Sequence, residues 1–238
     1  MKDQENKLKI VLLPGMDGTG ELFAPLLKYF QGYTCQVIAL PQSGPQDYSS
    51  LTKYVKKQLP KQEFVLIAES FSGPIAAKLA QQKIGNLKGV VFVATFLSSP
   101  NKALLSLAKQ LPIKILSKLP GARYFIKKFF MGSSAEKHLI DQFISLVDQT
   151  PVKILKNRID VMQKLRYQKF ISLIPSIYIL AKSDKLVPDN KAKEFRECFN
   201  GLLIKEIDGP HFVLQTEAIE LANVIEGFLS KLESFDQN

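Results

Sequence analysis

The chain has 238 residues, 46% hydrophobic and 23% charged, with 32 Lys and Arg against 22 Asp and Glu. That length suits one domain and that apolar content fills a core, so intrinsic disorder is excluded. Apolar runs such as Gly89–Leu97 reach about nine residues against the ~20 of a spanning helix, so no transmembrane segment is expected.

Lys9–Leu13 is an aliphatic run ended by Pro14-Gly15, the pattern of a strand buried on both faces. Glu21–Phe30 carries Leu22, Phe23, Leu26, Leu27 and Phe30 at helical spacing. Cys35–Leu40 reads as the next strand, and Ser49–Leu59 as a helix opened by a serine cap and closed by Pro60. Phe64–Ala68 is a third strand running directly into a helix from about Ser70 to Gln82, and Gly89–Leu97 is a fourth strand. Ile174–Ala181 and Leu202–Ile207 read as the last strands, with helices over Asp189–Cys198 and Glu217–Leu232. Strands alternating with helices predict an α/β fold, a mainly parallel sheet of about six strands covered on both faces.

Between Ser98 and Leu173 the alternation lapses into amphipathic helical patterns punctuated by Pro112, Pro120-Gly121, Gly132 and Pro151. The expected organisation is a core of residues 1–97 and 172–238 with a helical lid inserted over 98–171. The net charge belongs to that insertion: residues 98–170 hold 14 Lys and Arg and four acids, and the remainder balances at 18 of each. The plain expectation is that the apolar residues of Ala103–Leu119 and Tyr124–Met131 pack on the body and line a pocket, while the lysines solvate the outside. A sharper one is that the basic lid docks an anionic partner: an acidic acyl carrier protein, a coenzyme A thioester or an anionic lipid surface. No nucleic-acid recognition motif is present, so that partner class is not expected. The polar amino terminus has no signal-peptide pattern, and a cytoplasmic location is expected. Cys35 and Cys198 stand alone and form neither a disulfide framework nor a zinc pattern.

In Phe64-Val-Leu-Ile-Ala-Glu-Ser-Phe-Ser-Gly73, an aliphatic strand runs through small residues and a serine into a helix. Such a turn projects the Ser70 hydroxyl above the carboxyl end of the sheet, unless the serine merely caps the helix. The loop Leu12-Leu-Pro-Gly-Met-Asp-Gly-Thr-Gly20 has glycines in the wrong order for dinucleotide binding and lacks the Lys of a phosphate loop. It can instead supply backbone N–H groups beside the serine: those of Met16 and Phe71 suit an oxyanion hole. A serine needs a base, and there are two histidines. His138 lies among Lys137, Asp141 and Gln142, a solvated setting; His211, in Asp208-Gly-Pro-His-Phe, follows the last strand. For the orienting acid, Asp184 follows the fifth strand, whereas Asp208 suits a turn and Asp17 suits shaping its own loop; Asp184 is the leading candidate.

The order Ser70, Asp184, His211, with Leu-Pro-Gly-Met-Asp-Gly-Thr-Gly, Ala-Glu-Ser-Phe-Ser-Gly, Ser-Asp-x-x-Val-Pro and Gly-Pro-His, resembles the α/β-hydrolase fold superfamily over residues 8–97 and 172–232. The resemblance implies that Ser70 attacks an acyl carbon, His211 acts as base and then acid, and Asp184 holds the imidazole. It also implies an esterase or thioesterase working through an acyl-enzyme, with no metal or organic cofactor. An acyltransferase or a non-catalytic ligand-binding protein on the same scaffold is the alternative. This chain departs from the pattern at Ala68 and Ser72, which replace glycines, and at Pro14, where many members place His.

Overall fold

The computed structural model describes residues 8–112, 114, 119–133 and 135–235. The six strands are β1 (Lys9–Leu13), β2 (Cys35–Val37), β3 (Phe64–Glu69), β4 (Leu87–Val93), β5 (Ser176–Ala181) and β6 (Leu203–Ile207). They form one sheet in the order β2-β1-β3-β4-β5-β6, with every pairing parallel. Because side chains alternate along a strand, the aliphatic runs feed two cores at once. Val11, Leu13, Leu66, Ala68, Val90 and Phe92 face one side, with α2 (Tyr48–Lys56), α3 (Gly73–Gln81) and, further on, the helix Lys191–Cys198. Ile10, Leu12, Val65, Ile67, Val91 and Val93 face the other, covered by α1 (Ala24–Leu27) and the closing helix Ala218–Phe235.

Between β4 and β5 lie α4 (Lys102–Gln110), α5 (Ala122–Ile126), a π-helical turn (Lys127–Met131), α6 (Lys137–Gln149) and α7 (Val152–Lys164). After β5 come α8 (Lys191–Cys198), a short α9 (Val213–Thr216) and α10 (Ala218–Phe235). Of the apolar run Ala103–Leu119, positions 113 and 115–118 lie outside the described residues, Lys118 among them.

Several boundaries differ from expectation. The helix after β2 begins at Tyr48 and is capped by Asp47, whose carboxylate accepts from Ser50 N–H at 2.9 Å, so Ser49 is not the cap. Hydrogen bonding to Ser50 lowers the Asp47 pKa, as suits an anion at a helix start. Glu21–Phe30 makes only a 3₁₀ turn (Glu21–Phe23) and the four-residue α1. The apolar runs Cys35–Leu40 and Gly89–Leu97 outlast their strands: Ile38 and Leu40 are buried after β2 ends, and the chain leaves β4 at Ala94, whose φ is +45°. Burial, which the apolar pattern reports, persists where ladder pairing has stopped. Cys35 and Cys198 are both free thiols.

Candidate active site

β1 is flanked by β2 on one side and β3 on the other, so the chain reverses its direction of travel across the sheet there. In a parallel sheet such a reversal opens a crevice at the carboxyl ends of the strands. The loops after β1 and β3 leave from paired positions, Leu13 opposite Ala68, which sets residues 14–20 beside the turn at Ser70. Ser70 adopts φ +45°, a left-handed conformation that costs a non-glycine residue about 1–3 kcal/mol and is held by its surroundings. Thr95 Oγ1 donates to the Ser70 carbonyl, and Ser72 Oγ donates to the Pro14 carbonyl. Ser72 is fully buried, so the hydroxyl that replaces a glycine is satisfied by tying the turn to the β1 loop. Gly73 leaves no free room by contrast: a Cβ there would sit 1.9 Å from Thr95 Oγ1, so Thr95 would have to move.

The structure brings Ser70, Asp184 and His211 together from three separate strand ends. Ser70 Oγ lies 2.9 Å from His211 Nε2, and His211 Nδ1 lies 2.7 Å from Asp184 Oδ2. With Nδ1–H donated to the carboxylate, Nε2 is left to accept the serine proton. Asp184 Oδ1 accepts the N–H groups of Leu186 and Val187 at 2.7 and 2.9 Å, which fixes the carboxylate plane. The Asp184 and His211 side chains are only 3% and 8% exposed. Burial disfavours the imidazolium, but the charge and hydrogen bond of Asp184 and the charge of Glu69 outweigh it and raise the His211 pKa above 6.5.

The remaining candidates take no part in these hydrogen bonds. His138 is exposed and pairs with Glu136 at 3.0 Å. Asp208 is exposed; Asp17 accepts from Thr19 N–H and Oγ1 at 2.9 and 2.6 Å and so shapes its own loop. A groove of about 720 Å³ lined by Ile84, Leu87, Ile171, Leu173 and Pro175 opens at the opposite, amino end of the sheet, away from all three side chains.

Two buried ionisable residues beside this cluster are not singled out by sequence. Glu69, 5% exposed, accepts from Gln215 Nε2 at 2.9 Å, and burial pushes its pKa up to about 7. Arg158, expected among the solvated bases of the insertion, is 0% exposed and turned inward from α7. Its signal is helical spacing: Ile154, Leu155, Arg158, Ile159 and Met162 form the buried face of α7. The helical segment also meets the histidine loop, where Phe212 packs against Phe130 and Phe143 and its N–H donates to the Phe130 carbonyl at 3.3 Å. Of the segment's apolar residues, expected to pack on the body and line a pocket, Leu105, Ile126 and Met131 are buried, whereas Leu104, Leu107, Leu119, Tyr124 and Phe125 are exposed.

The family described as serine aminopeptidase, S33 matches residues 42–202. Solved structures of similar fold include an esterase from Exiguobacterium antarcticum (13% identity, TM-score 0.78, covering 94% of this chain and 92% of that one). The enol-lactonase from Burkholderia xenovorans LB400 gives 13% identity and a TM-score of 0.77, with 94% and 92% covered. A lipase-esterase related protein from Clostridium acetobutylicum ATCC 824 gives 17% and 0.74, with 94% and 96% covered. At such identities the likeness establishes the fold, which is the α/β-hydrolase fold. No curated protein matches the chain.

Proposed function

The chain belongs to the serine aminopeptidase, S33 family of α/β-hydrolases, and from that premise we propose that it cleaves carboxylic esters or thioesters through an acyl-enzyme on Ser70. The observation that carries this reading is the continuous path Ser70 Oγ, His211 Nε2, His211 Nδ1, Asp184 Oδ2, with steps of 2.9 and 2.7 Å. His211 takes the serine proton as Oγ bonds to the acyl carbon. The carbonyl oxygen becomes an oxyanion, which the N–H groups of Met16 and Phe71 receive. Collapse expels the alcohol or thiol, protonated by the imidazolium, and water repeats the cycle to release the acid. Asp184 fixes the tautomer and supports the imidazolium charge. No metal or organic cofactor enters these steps.

Residues 98–171 act as a lid in this reading, with Phe130 and Phe143 roofing the His211 loop. The exposed lysines of that lid, among them Lys102, Lys137, Lys153 and Lys169, favour an anionic acyl carrier or lipid surface as the source of substrate. The family's description makes hydrolysis of an amino-terminal peptide bond the second reading.

One panel tests all of this: p-nitrophenyl esters from acetyl to palmitoyl, acyl thioesters and aminoacyl p-nitroanilides, each with the wild type and Ser70→Ala. Turnover of esters or thioesters that vanishes in Ser70→Ala is expected. Turnover confined to the anilides would favour the peptidase, and acyl transfer to added alcohol in preference to water would favour an acyltransferase. Reversing the four lysines to glutamate should slow carrier-bound or micellar substrate alone; equal losses on a small soluble ester would remove the docking idea.

A further inference from the structure

The guanidinium of Arg158 crosses from α7 into the body. Nε donates to Gln46 Oε1 at 2.9 Å, Nη1 to the carbonyls of Met16 and Asp17 at 2.8 and 2.9 Å, and Nη2 to the Pro41 carbonyl at 3.0 Å. Its Cζ lies 5.8 Å from the centroid of the Phe71 ring. One side chain therefore touches both residues whose N–H groups face the developing oxyanion in the reading above. Gln46, itself buried, completes the clamp by donating to the carbonyls of Pro41, Ser43 and Gly44 at 3.1, 3.3 and 3.3 Å.

We propose that Arg158 is the positioning residue of the oxyanion hole, a cation supplied by the inserted helical segment that locks the loop at residues 15–18 and the Phe71 ring into the catalytic arrangement. The inference rests on Ser70 being the nucleophile.

Three observations support it. First, a glycine-rich loop is only loosely determined by its own chain; here Gly15 and Gly18 flank Met16 and Asp17, Gly18 sits at φ +77°, and the loop's internal bonds are those of Thr19 to Asp17 and of Gly18 N–H to the Gly15 carbonyl. The guanidinium plane, which offers donors in a rigid fork, holds two successive carbonyls of that loop and so fixes the peptide planes on either side of Asp17. Second, the loop is shaped around the arginine: a Cβ on Gly18 would fall 2.3 Å from Nη1. Third, among the described residues no carboxylate pairs with the cation directly. Its partners are three main-chain carbonyls and one amide, and burial depresses the Arg158 pKa to about 10 although the Asp17 charge opposes this. A buried cation is costly to desolvate, and an apolar residue would complete the α7 face at less expense if packing were the only requirement. Because Arg158 stands on α7, docking of the helical segment and shaping of the hole are one event. The segment then contributes to the chemical step and not only to substrate binding.

The test compares acylation rate and KM for a p-nitrophenyl ester in the wild type, Arg158→Lys, Arg158→Ala, Gln46→Ala and Lys156→Ala, the last an exposed position on the same helix. Arg158→Lys and Arg158→Ala, shown to be folded by circular dichroism and cooperative unfolding, should lose about 30- to 100-fold in acylation rate with KM changed by less than about threefold, as expected when donors miss the oxyanion. Gln46→Ala, which removes the Nε partner together with the Gln46 bonds to the carbonyls of Pro41, Ser43 and Gly44, should lose about 3- to 10-fold and serves as the deciding variant if both Arg158 variants unfold. Lys156→Ala should match the wild type. Guanidinium at low millimolar concentration should restore part of the acylation rate to Arg158→Ala and leave the wild type unchanged, which a purely structural defect would not allow. An acylation rate like that of the wild type in a folded Arg158 variant, or in folded Gln46→Ala where that variant decides, overturns the proposal, as does a loss confined to KM. A wild type that forms no acyl-enzyme at all refutes the Ser70 reading and this inference with it; a wild-type acyl-enzyme with undisturbed variants refutes this inference alone.

Discussion

Replacing Glu69 by glutamine isolates the energetic consequence of a carboxyl buried beneath the β1 loop. Around it stand Gln215, the Gly15 N–H, Asp17 and His211. Burial is the largest influence on its pKa, opposed by the Gln215 hydrogen bond, and the pKa rises from 4.5 to about 7. In the unfolded chain the same group titrates near 4.5, so the folded state holds the proton more tightly. The stability this confers is complete below pH 4.5 and is lost as pH rises through about 7. A rise of that size corresponds to about 3 kcal/mol once the group is ionised in both states. The amide of the Glu69→Gln variant does not titrate, and the other ionisation it disturbs directly is that of His211, whose pKa the Glu69 charge helps to raise. Urea unfolding at intervals from pH 5 to pH 9 should therefore show the variant gaining on the wild type by about 3 kcal/mol across that range, with most of the change below pH 8. A stability difference that stays flat with pH would mean that Glu69 is ionised throughout, and that the carboxyl is better solvated than its 5% exposure implies.

Glu69→Gln should also displace the acid limb of kcat/KM. In the wild type that limb lies above pH 6.5, because the raised His211 pKa keeps the base protonated at lower pH; removing the Glu69 charge should move it downward, and an upward move would contradict the assignment. Asp184→Asn should lower kcat by about 10³- to 10⁴-fold with KM little changed, since the amide no longer enforces the Nδ1–H tautomer; steady-state kinetics would expose a smaller effect. Gly73→Ala should destabilise the protein by about 1–3 kcal/mol, because the new Cβ displaces Thr95 and its bond to the Ser70 carbonyl. Adding Thr95→Ala should recover part of that loss in thermal unfolding, and no recovery would place the clash elsewhere.

The sheet is legible in the sequence because its four inner strands are buried on both faces and punctuated by Pro and Gly, so aliphatic runs of five or six residues stand out, as in Lys9–Leu13 and Phe64–Ala68. Their ends are less so: Ile38, Leu40 and Phe96 remain buried after the ladder stops, and hydrophobicity reports burial, not pairing. Ser70, Asp184 and His211 can be named because each follows a strand at its carboxyl end, where a parallel sheet gathers its functional side chains. Arg158 escapes because a charged residue in a basic helix is ordinarily solvated. The spacing of Ile154, Leu155, Ile159 and Met162 nevertheless places it on the apolar face of α7. Glu69 escapes because the residue before the serine is unconstrained by the motif; only its position at the end of a six-residue buried strand marks it.

Whether the Ser70 hydroxyl is a nucleophile activated by His211 is decided by reaction with a fluorophosphonate, followed by digestion and mass analysis of the peptide that carries residue 70. One covalent adduct on Ser70 is expected, absent from Ser70→Ala and much slower to form in His211→Ala. An adduct that forms undiminished in Ser70→Ala, or a wild type that stays unmodified under conditions that label a known serine esterase, would refute the assignment.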